Sequence, residues 1–370
     1  MRRKIKQLNR LLIASGTYLP EASGQSTFVS HIAENFKQRN IYVKIIAYGS
    51  SHERDDSIYR VERNKRRYWN YAQAIKKMSA SYKLIYAQDL ISSGFPSAMA
   101  KGRKNRLVVR IGGDFLWEKM INEGVTSLPL SEYYGGKKTR KEKVYLKIYK
   151  FVLKKADGLI FNSHFQKEIY ETNFRLKKQA IAVIENPYHL DTKKLVEKKS
   201  KKKTILFAGR LVKVKNVEKL IDAFKRIGDD SVQLKIVGDG PFREKLEQRC
   251  VSDRRVKFTG EISHDRLLEE INSCSFFVLP SISEMHPNVA LEALNAGKPA
   301  ILTKHNGFPE KLRDFFYLVD PLSTDDIEQG LTYFLDDTNL ESAKKMAESF
   351  YSEYGWKDIA QKHIDFFQSL

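Results

Sequence analysis

Glu284 and Glu292 stand eight residues apart, with Pro287 between them, in the stretch 276–299. The apolar run Phe276-Phe277-Val278-Leu279 is short enough for a buried parallel strand, and a polar loop with Ser281, Ser283 and Glu284 follows it. Pro287 falls at the expected first turn of a helix, where a missing N–H costs nothing. That helix carries Val289, Ala290, Leu291, Ala293 and Leu294 and stops at Gly297. The spacing places one carboxylate in the loop and the other two turns into the helix. Strand, loop and helix start are the parts of a phosphate and polyol site at the carboxyl edge of a parallel sheet. The competing reading is a solvent-facing glutamate followed by an unrelated glutamate on a helix surface.

Two further stretches carry phosphate chemistry. At 204–216 an apolar strand runs into Gly209-Arg210-Leu211, with Lys215 five residues after Arg210. Gly209 permits close backbone approach, Arg210 offers a planar fork suited to phosphate, and Lys215 adds a second cation. The bland alternative is a basic loop in a basic protein. At 234–241 another strand ends in Gly238-Asp239-Gly240-Pro241 before a helix over 242–248. In the first half, the strand 107–111 leads into Gly112-Gly113-Asp114, with Arg110 just before the turn. This is a tight, polar-lined turn of the kind at which ligands meet α/β sheets. Asp114 reads either as a site residue or as a cap on the next helix.

The elements that must position these residues alternate as strand and helix. A strand at 11–14, a glycine- and serine-bearing loop with Gly24, a helix over 28–39 and a strand over 41–47 form a βαβ opening. No G-x-G-x-x-G accompanies it, so a dinucleotide site is not supported. Residues 137–155 form a basic helix with Val144, Ile148, Phe151 and Val152 as an apolar stripe. Core packing is one use for that stripe; seating on anionic lipid is the other. The lysine-rich run 193–203 lacks periodicity and marks a boundary.

At 370 residues the chain is long enough for two domains of roughly 150–200 residues each. Its 42% hydrophobic and 30% charged content is that of a globular protein. Cys250 and Cys274 match neither a metal spacing nor a disulfide framework, which points to a reducing cytosol. No apolar run reaches the ~18 residues of a membrane span, and 11–14 is too short for a signal-peptide core. The net charge of +20 implies an anionic partner: nucleic acid, acidic lipid headgroups or nucleotide-sugar phosphates. The excess concentrates at 60–67, 101–110, 137–155 and 193–203.

The Glu284/Glu292 spacing, followed by Ala293-Leu294-Asn295-Ala296-Gly297-Lys298-Pro299, resembles the signature of retaining glycosyltransferases of family 4. Gly209-Arg210-Leu211 with Lys215 resembles that family's donor-diphosphate element, and Gly238-Asp239-Gly240-Pro241 its turn beside the nucleotide. The resemblance implies an α/β GT-B fold: two Rossmann-like, doubly wound parallel-sheet domains facing across a cleft. Residues 1–190, with a returning C-terminal helix at 351–370, are then the acceptor-binding domain, and 191–350 the donor-binding domain.

It implies retaining transfer from a UDP- or GDP-linked sugar to a glycan or lipid-linked acceptor, in cell-surface polysaccharide or glycolipid synthesis. No cofactor and no required metal are implied, and the paired aspartates at 55–56, 229–230 and 325–326 lie in polar surface contexts. The catalytic residues carried over are Glu284, Asp114, Arg210 and Lys215. The donor-binding set is Gly209, Arg210, Lys215, Gly238, Gly240, Glu284, His286, Pro287, Asn288, Val289 and Glu292, with Glu284 on the sugar hydroxyls and Glu292 on the ribose diol. The acceptor side takes Gly24, Arg110, Gly113 and Asp114. Two departures stand out. Met285-His286-Pro287 replaces the family's common Gly-Phe-Gly, and the histidine often found near Asp114 is missing between His52 and His164. The expected setting is cytoplasmic, free or peripheral on the inner membrane face, with no specific nucleic-acid partner. A nucleic-acid-binding protein would show steep salt dependence and leave the glutamate spacing unexplained. A GT-B epimerase would need catalytic acids in both domains, and a phosphorylase a pyridoxal lysine that nothing here identifies.

Overall fold

The computed structural model describes residues 8–21, 23–50, 56–176, 178–188 and 202–370. Most of the basic run 193–203, and the boundary expected near 190, lie outside them. The chain divides into two compact units: 1–116 with 135–187 and 354–370, and 117–134 with 188–353.

The first unit is built on seven parallel strands: β1 (Arg10–Ala14), β2 (Tyr42–Tyr48), β3 (Ile58–Val61), β4 (Leu84–Ala87), β5 (Arg106–Ile111), β6 (Gly158–Phe161) and β7 (Ala180–Val183). Their order is β3-β2-β1-β4-β5-β6-β7. The reversal between β1 and β4 leaves the loops after those strands together at one carboxyl edge, with Ala14 paired to Ala87. The second unit has six: β8 (Lys203–Ala208), β9 (Val232–Val237), β10 (Val256–Gly260), β11 (Phe276–Leu279), β12 (Ala300–Thr303) and β13 (Phe316–Val319), ordered β10-β9-β8-β11-β12-β13. Its switch point lies between β8 and β11, which pair through Leu206 and Phe277. All these pairings are parallel, and each sheet belongs to an α/β fold. Burial on both faces explains the unbroken apolar runs: Phe276 and Phe277 are fully buried, each contributing about 1.5–3 kcal/mol.

Local chemistry sets the helix ends. The helix Gly24–Lys37 starts earlier than the apolar pattern suggests because Ser23 and Ser26 form a capping box. Thr139 and Glu142 form another at the head of the basic helix Arg140–Lys155. That helix buries Tyr149, Val152 and Leu153, whereas Val144 of the expected stripe stays exposed.

The C-terminal helix Trp356–Ser369 packs within the first unit. Trp356 stacks on His31, and Phe367 meets Phe36 and Tyr86. His363 is fully buried: its Nδ1–H donates to the Ile359 carbonyl at 2.7 Å, and the Tyr86 hydroxyl donates to Nε2 at 2.8 Å. Burial pushes His363 down to about 3. An unfolded histidine titrates near 6.5, so between these values the unfolded chain binds a proton that the native chain refuses. Stability therefore falls as pH drops through that window, by about 2 kcal/mol from 6.5 to 5. Thermal melts across this range are expected to show the slope in the wild type and to lose it in His363→Gln. An equal slope in both would assign the acid sensitivity to other groups.

Candidate active site

The loops after β8 and β11 bring the second unit's chemistry to its switch point. After Gly209, the 3-10 turn Lys213–Lys215 ends at Asn216, whose backbone is left-handed at φ 58°. Asn216 Nδ2 holds this shape by donating to the carbonyls of Pro280 (3.0 Å) and Pro321 (2.8 Å). Across the gap, Ile282 N–H donates to the Val214 carbonyl at 2.9 Å. Glu284 is clamped through its own backbone, its N–H donating to His305 O and its carbonyl accepting from Gly307 N–H, both at 2.9 Å. These contacts set Lys215 Nζ 2.5 Å from Glu284 Oε1, the side chains being 25% and 11% exposed. Charges so close and shielded attract strongly. Arg210 is exposed and in no ion pair among the described residues.

Gly238 and Gly240 act on the backbone beside Arg210. Gly209 N–H donates to Val237 O and Leu211 N–H to Asp239 O, at 3.0 and 2.8 Å, so the two turns lie back to back. A Cβ on Gly238 would sit 2.1 Å from the Gly209 carbonyl oxygen, and one on Gly240 2.5 Å from that of Leu211.

The helix Asn288–Asn295 begins one residue after Pro287, which occupies the N-cap position and offers no side-chain cap. The Pro287 carbonyl takes the N–H groups of Ala290 and Leu291, while Val289 N–H has no acceptor among the described residues. His286 fills the loop: it stacks on Tyr188 at 5.7 Å, meets Phe308 edge-on at 5.2 Å, and its Nδ1 lies 2.9 Å from Asn288 Oδ1. Glu292 is partly buried, and its Oε2 is shielded without a hydrogen-bond partner among the described residues. Burial raises the Glu292 carboxyl above its usual range, and His264 pulls the other way. An unpaired buried acceptor is a group waiting for a donor such as a hydroxyl.

The segment 117–134 leaves the chain between β5 and β6 and belongs to the second unit. There Leu130 N–H donates to Ser283 Oγ at 3.1 Å, next to Glu284, and Asn122 Oδ1 lies 3.4 Å from Val214 N, next to Lys215. No local pattern marks Asn122 or Leu130 as neighbours of the pair. Asn216 was findable in principle, because asparagine tolerates a left-handed backbone after a basic turn.

In the first unit the four acceptor-side residues divide by exposure. Gly24 opens its helix with nothing within 4 Å of an added Cβ, and Gly113 is exposed. Asp114 is 1% exposed, its Oδ2 accepting from the Tyr170 hydroxyl at 2.8 Å and Oδ1 from Tyr149 at 3.3 Å. Arg110, 5% exposed, lies 3.7 Å from the Phe28 ring centre and donates to Asn186 Oδ1 at 2.7 Å. Burial lowers its pKa.

Residues 191–352 match the family described as Glycosyl transferases group 1, and residues 22–192 match Glycosyltransferase Family 4. The chain belongs to the family 4, group 1 glycosyltransferases. An uncharacterized glycosyltransferase of Methanocaldococcus jannaschii is 32% identical over 177 residues, 45% of either chain. The phosphatidylinositol N-acetylglucosaminyltransferase gpi3 subunit of Schizosaccharomyces pombe is 27% identical over 235 residues, 60% of this glycosyltransferase and 51% of its relative. The matches span about half the length of these curated relatives. Among solved structures, Anabaena HepE in complex with UDP and glucose superposes with a TM-score of 0.68 at 17% identity, covering 98% of this chain and 100% of that one. Two parallel-sheet, Rossmann-like units with such neighbours give the glycosyltransferase the GT-B fold.

Proposed function

We propose that the protein transfers a sugar, with retained anomeric configuration, from a UDP-linked donor to a lipid-linked or glycan acceptor. The observation that carries this reading is the Lys215–Glu284 pair at the second unit's switch point, with Arg210 exposed beside it. UDP is favoured over GDP because the HepE structure holds UDP and glucose. A lipid-linked acceptor is favoured by the relative named for phosphatidylinositol.

In this reading the bond between the sugar's anomeric carbon and the diphosphate breaks as the acceptor oxygen bonds to that carbon on the same face. The acceptor's proton passes to the departing diphosphate. Arg210 and Lys215 stabilise the charge growing there, and the N–H groups at the start of helix Asn288–Asn295 add to them without a required metal. Glu284 takes the donor's sugar hydroxyls and Glu292 the ribose diol, giving its shielded Oε2 a donor. Gly209, Gly238 and Gly240 shape the turn under the diphosphate, and His286 and Pro287 fix the loop. On the acceptor side Gly24 and Gly113 are open to ligand, while Asp114 and Arg110 act as positioning residues.

Titration calorimetry with UDP, GDP and ADP in EDTA tests the donor site. UDP is expected to bind, and Arg210→Ala to weaken it about 10–100-fold through the lost charged hydrogen bonds. No binding of any nucleotide, with tight and salt-sensitive binding of oligonucleotides instead, overturns the reading.

The same proposal places the enzyme peripherally on an anionic membrane surface. Among the described residues no helix is long and apolar enough to cross a membrane. Along the helix Arg140–Lys155, exposed Val144 lies among exposed Lys141, Lys143 and Lys147, and Tyr145 contacts exposed Phe115 at 5.8 Å. Val144→Glu is expected to cut retention on phosphatidylglycerol-containing vesicles about five- to ten-fold in a flotation assay. Unchanged retention removes this face from the proposal.

A further inference from the structure

Two of the charge clusters in the sequence, 101–110 and 137–155, have no part in the donor site, yet the fold of the first unit brings their ends together. A cavity of about 660 Å³ is lined by Lys101, Arg103, Arg106, Lys154, Lys155 and Lys178, with Asp157 the one acidic side chain on its wall. Arg106 opens β5, Asp157 directly precedes β6, and Ala180, also on the wall, opens β7. The cavity therefore sits at the amino edge of the sheet. Gly113 and Asp114 follow the other end of β5, roughly 16 Å away along the strand.

Asp157 does not neutralise this wall. Its Oδ2 accepts from Lys101 Nζ at 2.6 Å and from Leu107 N–H at 2.9 Å, and its Oδ1 lies 3.6 Å from Arg106 Nη1. One carboxylate thus pins two cations into a largely buried floor. Above it Arg103, Lys154 and Lys178 are exposed and in no ion pair among the described residues. The cavity beside the helix Val217–Lys225 shows the contrast: there Lys213, Lys219 and Arg249 face Glu218 and Asp222, and Arg249 is paired with Asp222 at 2.7 Å. Cations gathered on a concave wall repel one another and focus the field on an entering anion. Arginine forks and lysine point charges both suit phosphoryl oxygens.

We infer that this cavity is a second anion site, binding a ligand that carries two or more phosphoryl charges. The site does not rest on the transferase reading. Its test uses the full chain carrying Arg210→Ala, which weakens the proposed diphosphate site, and titrates inorganic pyrophosphate at constant ionic strength. Adding Arg103→Glu with Lys178→Glu is expected to weaken binding at least about ten-fold. A control pair, Lys311→Glu with Lys345→Glu, makes the same change in net charge at exposed positions of the second unit and is expected to leave affinity within about two-fold. The milder Arg103→Gln with Lys178→Gln, checked by thermal melting, separates a lost site from a damaged fold and is expected to weaken binding by an intermediate factor.

Phosphatidylcholine vesicles containing cardiolipin, whose headgroup carries two phosphates, distinguish the ligand's source. Retention that falls with the cavity pair and not with the control pair names a lipid phosphate. Pyrophosphate binding lost in the cavity pair, with vesicle retention unmoved, names a soluble one. If neither probe binds, or both pairs weaken binding equally, the site is overturned and the wall is only part of a diffuse positive field.

Discussion

Glu284→Gln is expected to lower kcat by about 10²–10³ while changing UDP affinity less than about three-fold. The geometry separates these effects. Glu284 is fixed from both sides through His305 and Gly307, so the substitution alters charge without releasing the loop. The amide oxygen still accepts from Lys215, whose position 2.5 Å away is held independently by the Asn216 and Ile282 contacts. What is lost is a negative acceptor for the donor's sugar hydroxyls, which affects the sugar-bearing donor and the reacting state but not UDP alone. Lys215→Met removes a diphosphate contact and strands a carboxylate that is 11% exposed, so it should weaken both UDP affinity and stability, the latter by about 1–3 kcal/mol. Because the two side chains act as a unit, the double variant should lose much less activity than the product of the single losses. Initial rates with UDP-sugar and calorimetry with UDP measure both quantities. Glu284→Gln with activity within about three-fold of wild type excludes Glu284 from the chemistry.

The parts of the site legible in the sequence are those made by local patterns. The run 276–279 reads as a strand because every one of its residues is buried, as are most of those in β8. The glycine turns at 209 and 238–240 follow such strands, and a parallel sheet delivers its loops to one edge. Pairing across sequence was not legible. The two tyrosines holding Asp114 lie 35 and 56 residues away, and neither differs from an ordinary core aromatic in its own helix. Arg110 looks like a ligand-facing cation until Phe28 and Asn186, the latter 76 residues on, are seen to cover it. The excursion 117–134 carries no composition shift: Trp117, Met120, Ile121, Leu130 and Tyr133 are buried like core residues elsewhere in the chain. Helix starts moved for a local reason: Ser23 caps five residues before the apolar face begins at Phe28, and Pro287 sits just outside its helix.

Gly238→Ala is expected to destabilise the second unit by about 3 kcal/mol and to lower its melting temperature by about 6–12 °C. Two costs combine. Gly238 has φ +123°, a conformation that an alanine adopts only under strain. Its Cβ would also meet the Gly209 carbonyl oxygen at 2.1 Å and the carbonyl carbon at 2.9 Å, both backbone atoms that cannot swing aside. Relief requires the 209–211 turn to move away from the 238–240 turn, breaking Gly209 N–H to Val237 O or Leu211 N–H to Asp239 O. Arg210 travels with that turn, so UDP affinity should fall at least about ten-fold even in protein that remains folded. Gly24→Ala is the matched control, because its Cβ enters open space at the start of a helix and should change stability by less than about 0.5 kcal/mol. Normal melting and normal UDP affinity in Gly238→Ala would show that the two turns are not mechanically linked, and the glycines would then need a direct role at the nucleotide.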